Sequence, residues 1–418
     1  MLSKWQWIFR QFTRKLWVRA TLFAVLAVVS ALAATVIAPF VPPEMPTTIG
    51  ADAVDDILNI LASSMLAVTT FSLSVMVSHY SMVTNNVTPR ATRLLFEDAT
   101  AQNALGTFIG TFLFSLVGII ALSTDVYGDR GRVILFAVTL LVIFLIVITM
   151  LRWIDHLSRL GRIEEPTERV ENVTAAAFRT FADYPSLGGR MLTGRDAIPA
   201  AAVPVHARRI GYVRHVDTKG LSDVAETHGL DVYVVALPGS FVHPKAPLAF
   251  VIGDVEEAAA DLRVPFDVSD VRTYDSDPRF GLSVLAEIAS RALSPGINDP
   301  GTAIDIIGRA VRVLAGWQQE AASQADAEIL YPRLWLPALE MEELFDHVFS
   351  PIARDGAGHI EVQIQLQKAF ASLAEIDPAA FAAVAREQSR LALARSDRAL
   401  DLEEEKARVR EAALAARG

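Results

Sequence analysis

Residues 133–151 read VILFAVTLLVIFLIVITML, an uncharged run that as an α-helix measures about 28 Å, close to the roughly 30 Å of bilayer hydrocarbon. Lipid offers backbone groups no partner, so such a segment must close its own hydrogen bonds as a helix. Residues 20–38 and 104–123 are equally free of charge, and 57–78 is uncharged but studded with hydroxyls. The chain therefore reads as a membrane α-helical protein with four transmembrane helices inside a 20–160 membrane domain. A cytoplasmic α+β domain and a C-terminal helical domain follow it.

Basic residues flanking spans are retained on the cytoplasmic side. Lys4, Arg10, Arg14, Lys15 and Arg19 precede the first span, Arg90 and Arg93 lie between the second and third, and Arg152, Arg159 and Arg162 follow the fourth. The first outer loop, 39–56, has no Lys or Arg and carries Glu44, Asp52, Asp55 and Asp56; Arg130 and Arg132 in the second are the contrary signal. Both termini are expected to be cytoplasmic, with the first span retained rather than cleaved as a signal peptide. Trp5, Phe9, Phe12 and Leu16 at helical spacing make 1–19 an amphipathic interfacial helix.

The chain has no cysteine, which excludes disulfides, thiolate metal sites and cysteine nucleophiles. Of 38 basic and 48 acidic residues, 11 and 9 lie in 1–160, leaving 27 against 39 in the remainder, a net charge near −12. So acidic a region argues against a nucleic-acid partner, which needs a basic footprint, and against flat adsorption onto an anionic leaflet.

Past the last span, 161–200 reads as a helical stem, interrupted near Gly161 and Pro166, then a Gly- and Pro-bearing linker. The β-branched runs 203–206, 211–216, 231–237 and 248–252, with a short helix at 221–228, predict a small α+β domain over 201–270. The stretch 238–248 is similar to the hairpin of lipoyl-like barrel-sandwich domains but lacks the second turn glycine, which favours a plain hairpin over a modified Lys245. From Phe280 onward apolar residues recur at period 3.6, and 271–418 is expected to be a helical domain.

Only the second span carries a polar line. Asn59, Ser63, Ala67, Thr70, Ser74 and Ser78 follow steps of three and four and share one helical face, with Asp55 and Asp56 at the outer end. One reading is a pore lining whose carboxylates concentrate cations at the mouth. The other is helix packing, favoured by the lack of any charge within the span. Ala24 and Ala31 on the first span and the Gly106/Gly110 GxxxG pair on the third are packing devices. The aliphatics all round the fourth span place it against lipid.

A second candidate is the 294–303 loop between two expected helices. Asp299 at an N-cap followed by Pro300 starts a helix well, and the exposed amides could hold an anion beside Arg272 or Arg291. The commoner arrangement is a buried interhelical turn in which Asn298 and Asp299 satisfy backbone donors while an Arg pairs with a carboxylate. Asp275 and Asp277 with Arg272 form either an acid/base cluster or a structural ion-pair network. Glu343 and His347 lie at i,i+4, a spacing more often found on a solvated helix face than in a metal site. No phosphate loop, dinucleotide fingerprint, nucleophile elbow or HExxH pair occurs, so no catalytic residue, metal or cofactor is expected.

The motifs Arg272-Thr273-Tyr274-Asp275 and Arg291-Ala292-Leu293-Ser294-Pro295-Gly296-Ile297-Asn298-Asp299-Pro300-Gly301-Thr302-Ala303 resemble a bacterial family, domain of unknown function 2254. The resemblance runs over nearly the whole chain, is most specific at 294–300, and includes the Gly211-Tyr212-Val213 segment; Ser276 stands where many relatives carry an amide. It implies a multi-pass bacterial inner-membrane protein without an assigned activity. The leading expectation is a homo-oligomeric, cation-preferring channel lined by Asp55, Asp56, Asn59, Ser63, Thr70, Ser74 and Ser78 and gated by its cytoplasmic part. Its partners would be the lipid bilayer, a small ion, and a cytoplasmic anionic ligand held by Arg272, Asp275, Arg291, Asn298 and Asp299. The alternatives are a non-conducting signalling or scaffold protein, and a membrane-tethered enzyme using the 272–303 cluster.

Overall fold

The structure is a computed structural model that describes residues 51–86, 88–96, 99–124, 128–159, 164–324 and 328–415, with scattered positions between 18 and 29. The expected interfacial helix, but for Val18, and most of the first span, Ala31 included, lie outside the described residues; Ala24 is helical and half-buried. Among the described residues, three helices are long and apolar enough to cross a membrane.

These are α1 (Ala51–Asn86), α3 (Ala99–Ser123) and α4 (Gly128–Arg159), with the short α2 (Pro89–Phe96) between the first two. Their apolar stretches, Ala53–Ser78, Thr100–Ser123 and Arg132–Ser158, each exceed the roughly 20 residues that a span requires. Val54, Leu58, Leu61 and Met65 of α1 bury against Phe108 and Phe114 of α3 and Leu135 and Ile146 of α4. Gly106 and Gly110 are buried on α3. Gly118, two turns further, matters as much: a Cβ there would stand 3.0 Å from Leu58 Cδ1. Only 17% of the α4 window is buried against 50% for α3, so α4 has the surface of a lipid-facing helix.

The chain divides into two compact units, a spanning unit (Ile8–Asn85 and Thr92–Glu165) and a sheet-bearing unit that combines Asn86–Ala91 with Pro166–Gly418. The sheet-bearing unit starts with α5 (Glu164–Asp183), where Pro166 sits in the first turn and its missing N–H costs no helical bond. Then come β1 (Gly189–Leu192), β2 (Val203–His206), β3 (Gly211–Val216), α6 (Thr218–Thr227), β4 (Asp231–Val234), β5 (Phe241–Val242), β6 (Pro247–Ile252) and β7 (Phe266–Ser269). They are followed by α7 (Pro278–Ala292), α8 (Pro300–Ser323), β8 (Tyr331–Pro337), α9 (Met341–Asp355), α10 (Ile360–Ile376), α11 (Pro378–Ala399) and α12 (Glu403–Ala415).

One sheet has the order β1-β8-β4-β6-β2, with β8 parallel to both neighbours and the remaining pairs antiparallel; the other is β5-β3-β7, antiparallel throughout. This corrects three expectations. The 184–200 linker contains β1. The helical 271–418 region supplies β8 to the sheet between β1 and β4, its Leu334 and Leu336 buried with Val232, Val234 and Val251, so the chain makes no break at 270. And the 238–248 stretch is no paired hairpin: β5 bonds β3, while β6 bonds β2 and β4.

Candidate functional site

Along α1 the stripe is turned outward. Asn59, Ser63, Ala67, Thr70, Ser74 and Ser78 are all exposed, while Val54, Leu58, Leu61, Ala62, Met65, Ser72 and Met76 on the other side are buried. At 100° per residue the polar positions fill a sector flanked by exposed Leu66 and Leu73 on one edge and Ile60 and Phe71 on the other. Inside the sector the hydroxyls bond to their own helix: Ser63 Oγ donates to Asn59 O, Thr70 Oγ1 to Leu66 O and Ser74 Oγ to Thr70 O, each at 2.9 Å. At one end Asn59 Nδ2 donates to the Asp55 carboxylate at 3.1 Å, fixing that group, while Asp56 is exposed.

The 272–303 candidates separate into two places. Pro278–Ala292 rises about 21 Å, and Arg272 and Asp275 lie at its start whereas Arg291, Asn298 and Asp299 lie at its end. A single reacting centre built from all five has its members on opposite ends of α7.

At the start of α7, Asp277 is the N-cap and only 1% exposed. It accepts from Phe280 N at 3.2 Å and from Arg272 Nε at 2.7 Å, and the Arg272 guanidinium also lies over the Phe280 ring. Arg279 donates to Pro238 O and to Glu343 Oε2, both at 2.8 Å, and its Nε is 3.9 Å from Asp277. Gly239, at φ +92°, touches the Asp277 carboxylate so closely that any Cβ would collide with it. Ser283 Oγ and His347 Nδ1 are 3.0 Å apart, and His215 Nδ1 lies 3.3 Å from Ser276 Oγ. Two arginines facing two carboxylates tie the 238–239 turn, α7 and α9 together with their charges balanced.

The His347 ring at 3.8 Å and the Arg279 guanidinium hold the Glu343 carboxyl at about 2, against an ordinary 4.5. Its contribution to stability is therefore whole above pH 4.5 and lost as pH falls from there toward 2. The stability gap between the wild type and Glu343→Gln, measured by urea unfolding, should narrow as pH falls below about 4.5. A gap that does not change with pH would remove the ion pair from the account.

The 294–300 turn at the far end of α7 is mostly exposed rather than buried. Asn298 N donates to Ser294 O at 2.8 Å, and Asn298 adopts the left-handed region at φ +53° with its Oδ1 3.1 Å from His359 Nε2. Asp299 caps α8 as the sequence suggests, accepting from Thr302 Oγ1 at 2.6 Å and Thr302 N at 3.1 Å, and these bonds push its carboxyl below the usual range. A carboxylate thus already occupies the first turn of α8, where an anion would have to sit.

Two contacts have no signature in the sequence. Glu171 of α5 binds Arg309 and Arg312 of α8 at 2.6 and 2.8 Å. Within the sheet-bearing unit, Tyr274 Oη donates to Arg90 O at 3.0 Å and Arg90 pairs with Glu287 of α7. Their partners lie well over a hundred residues apart, beyond the reach of any local pattern.

A family model described as "Predicted membrane protein (DUF2254)" matches residues 13–372. An uncharacterized protein of Mycobacterium bovis and one of Mycobacterium tuberculosis are each 25% identical over 265 residues, covering 60% of this chain and 50% of the relative. The chain therefore spans about half the length of the curated relatives it matches. No solved structure matches it.

Proposed function

We propose that this chain, which belongs to the DUF2254 family of predicted membrane proteins, works as a homo-oligomer of the bacterial inner membrane. In it, α1 helices from several copies surround a narrow, cation-preferring polar path, and the sheet-bearing unit on the cytoplasmic side controls it. The observation that carries this reading is the outward face of α1: a polar sector with Asp56 at one end and apolar shoulders at Ile60, Phe71, Leu66 and Leu73. Shoulders of this kind can seal against neighbouring helices while hydroxyls face water. The 86–91 segment, which follows α1 in sequence, belongs to the sheet-bearing unit, where Arg90 is bonded by Tyr274 and Glu287.

Purified protein in liposomes should pass monovalent cations, and Thr70→Leu should cut the flux about tenfold, because an apolar ring in a narrow pore excludes water. Absence of flux over a range of ions and voltages sinks the reading.

One observation favours a second reading, a non-conducting anchor that oligomerises and presents the sheet-bearing unit. Ser63, Thr70 and Ser74 already satisfy their hydroxyls on their own helix and need no water. Cross-links between copies through Thr70→Cys, without flux, would establish it.

A further inference from the structure

Where β2 turns into β3, the sheet-bearing unit has a tip unlike the rest of its surface. Ala207 N donates to Ala246 O at 3.1 Å, which lays the 207–210 loop against the 243–246 turn. That turn is closed by Ala246 N to His243 O at 2.7 Å and Lys245 N to His243 Nδ1 at 3.2 Å. Gly211 pairs with Val242 and Tyr212 with both Phe241 and Ser269, so Tyr212 and Phe241 share one face of the β5-β3-β7 sheet, with Ile210 just before β3 and Val271 just beyond β7. The Tyr212 and Phe241 rings meet edge-on at 5.2 Å. Ile210 is 61% exposed, Phe241 58% and Val271 42%.

Basic charges outnumber acidic ones beside this patch. Arg208 and Lys245 are exposed and have no ion pair among the described residues, and Arg209 reaches only Asp270 at 3.6 Å. In a region whose net charge is near −12 this is a local reversal of sign. Uncovered aromatic and aliphatic side chains beside unpaired cations are the combination that an anionic bilayer surface accepts. Headgroup charge meets the basic groups, and the interface takes up the ring and the branched chains. The rest of the unit carries the opposite sign and would be repelled, so contact is confined to the tip.

We propose that this tip, formed by Arg208, Ile210, Phe241 and Lys245, docks onto the anionic leaflet of the membrane in which the chain is anchored. The docking does not depend on whether α1 conducts. Tethering raises the local concentration of lipid surface, so two or three basic residues and two apolar ones suffice for reversible contact.

The absence of cysteine makes the test direct, because any introduced thiol is the sole labelling site. Nitroxides would be placed singly by Ile210→Cys, Phe241→Cys and, as a control, Ile376→Cys, also exposed and apolar at the end of α10. The full-length protein would be reconstituted in phosphatidylglycerol-containing or pure phosphatidylcholine vesicles. In anionic vesicles labels at 210 and 241 should change from preferential collision with a water-soluble nickel chelate to preferential collision with oxygen, and the label at 376 should not. Pure phosphatidylcholine, or Arg208→Glu with Lys245→Glu, should return both tip labels to water; Arg208→Gln with Lys245→Gln should do so in part. Tip labels that stay in water in anionic vesicles overturn the proposal. So does lipid contact indifferent to both charge changes, or spin–spin broadening at 241 that dilution with unlabelled protein removes, since a second copy would then cover the patch.

Discussion

Replacing Asp277 with alanine should destabilise the sheet-bearing unit by about 3–5 kcal/mol, the usual result of removing one partner from a buried ion pair. Asp277 is 1% exposed, and the Arg272 side chain at 2.7 Å is 19% exposed, so the arginine cannot recover full hydration once its carboxylate is gone. The N-cap is lost as well, because Asp277 also accepts from Phe280 N, and that bond alone is worth about 1 kcal/mol. Asp277→Asn separates the two losses: its carbonyl keeps the cap while the charge disappears, so its cost should fall between wild type and alanine. The measurement is thermal unfolding in detergent followed through the emission of Trp317 and Trp335. For a unit of this size a drop of about 10 °C is expected for the alanine variant. A shift within error would mean that Arg272 finds another acceptor and that the network at the head of α7 is dispensable.

Gly281→Val should rank next, at about 3 kcal/mol, and its origin is steric. Gly281 lies one turn into α7 against Thr174 of α5, and a Cβ there would stand 2.7 Å from Thr174 Cγ2 and closer still to the hydroxyl. Thr174 is 1% exposed, so neither helix can yield without opening the packing between them. Forcing extra volume into a packed contact costs about 1–3 kcal/mol, and valine adds two further methyls. Alanine is the milder case, since its better helix propensity returns up to about 1 kcal/mol of the strain. Thr174→Ala should rescue Gly281→Ala in part, because it removes Oγ1 and Cγ2 but keeps the Cβ that also stands 2.7 Å away, and such coupling marks touching residues. Strictly additive losses in that double variant would mean that Gly281 and Thr174 do not touch.

Local pattern made much of the architecture legible. The uncharged runs give α1, α3 and α4, and the 3.6-residue period from Phe280 onward gives α7 to α11 nearly in place. The Asp299-Pro300 pair marks the start of α8, because capping and proline chemistry are set by neighbours in sequence. β8 was hidden by Pro332 and Pro337, which argue against a central strand; the structure accommodates Pro332 where the β1 register shifts. β1 was hidden by its approach, since Ser186 and Leu187 both take left-handed conformations that no propensity rule assigns to Ser or Leu. The stripe on α1 could be read as a face, but only packing shows which way that face turns. Arg279 with Glu343, and Arg90 with Glu287, join residues that only the folded chain brings together.

The interior position of β8 also has a consequence for synthesis. Its two neighbours, β1 and β4, are complete by Val234, yet β8 begins only at Tyr331, about 100 residues later. At about 5–20 residues per second, the ribosome leaves those two edges without their partner for roughly 5–20 s. During that interval the spans are already made and the buried faces of Val232 and Val234 lack Leu334 and Leu336. The sheet can therefore close only after two long helices have been made, and a nascent chain is exposed to aggregation through its unpaired strands between the synthesis of Val234 and that of Tyr331.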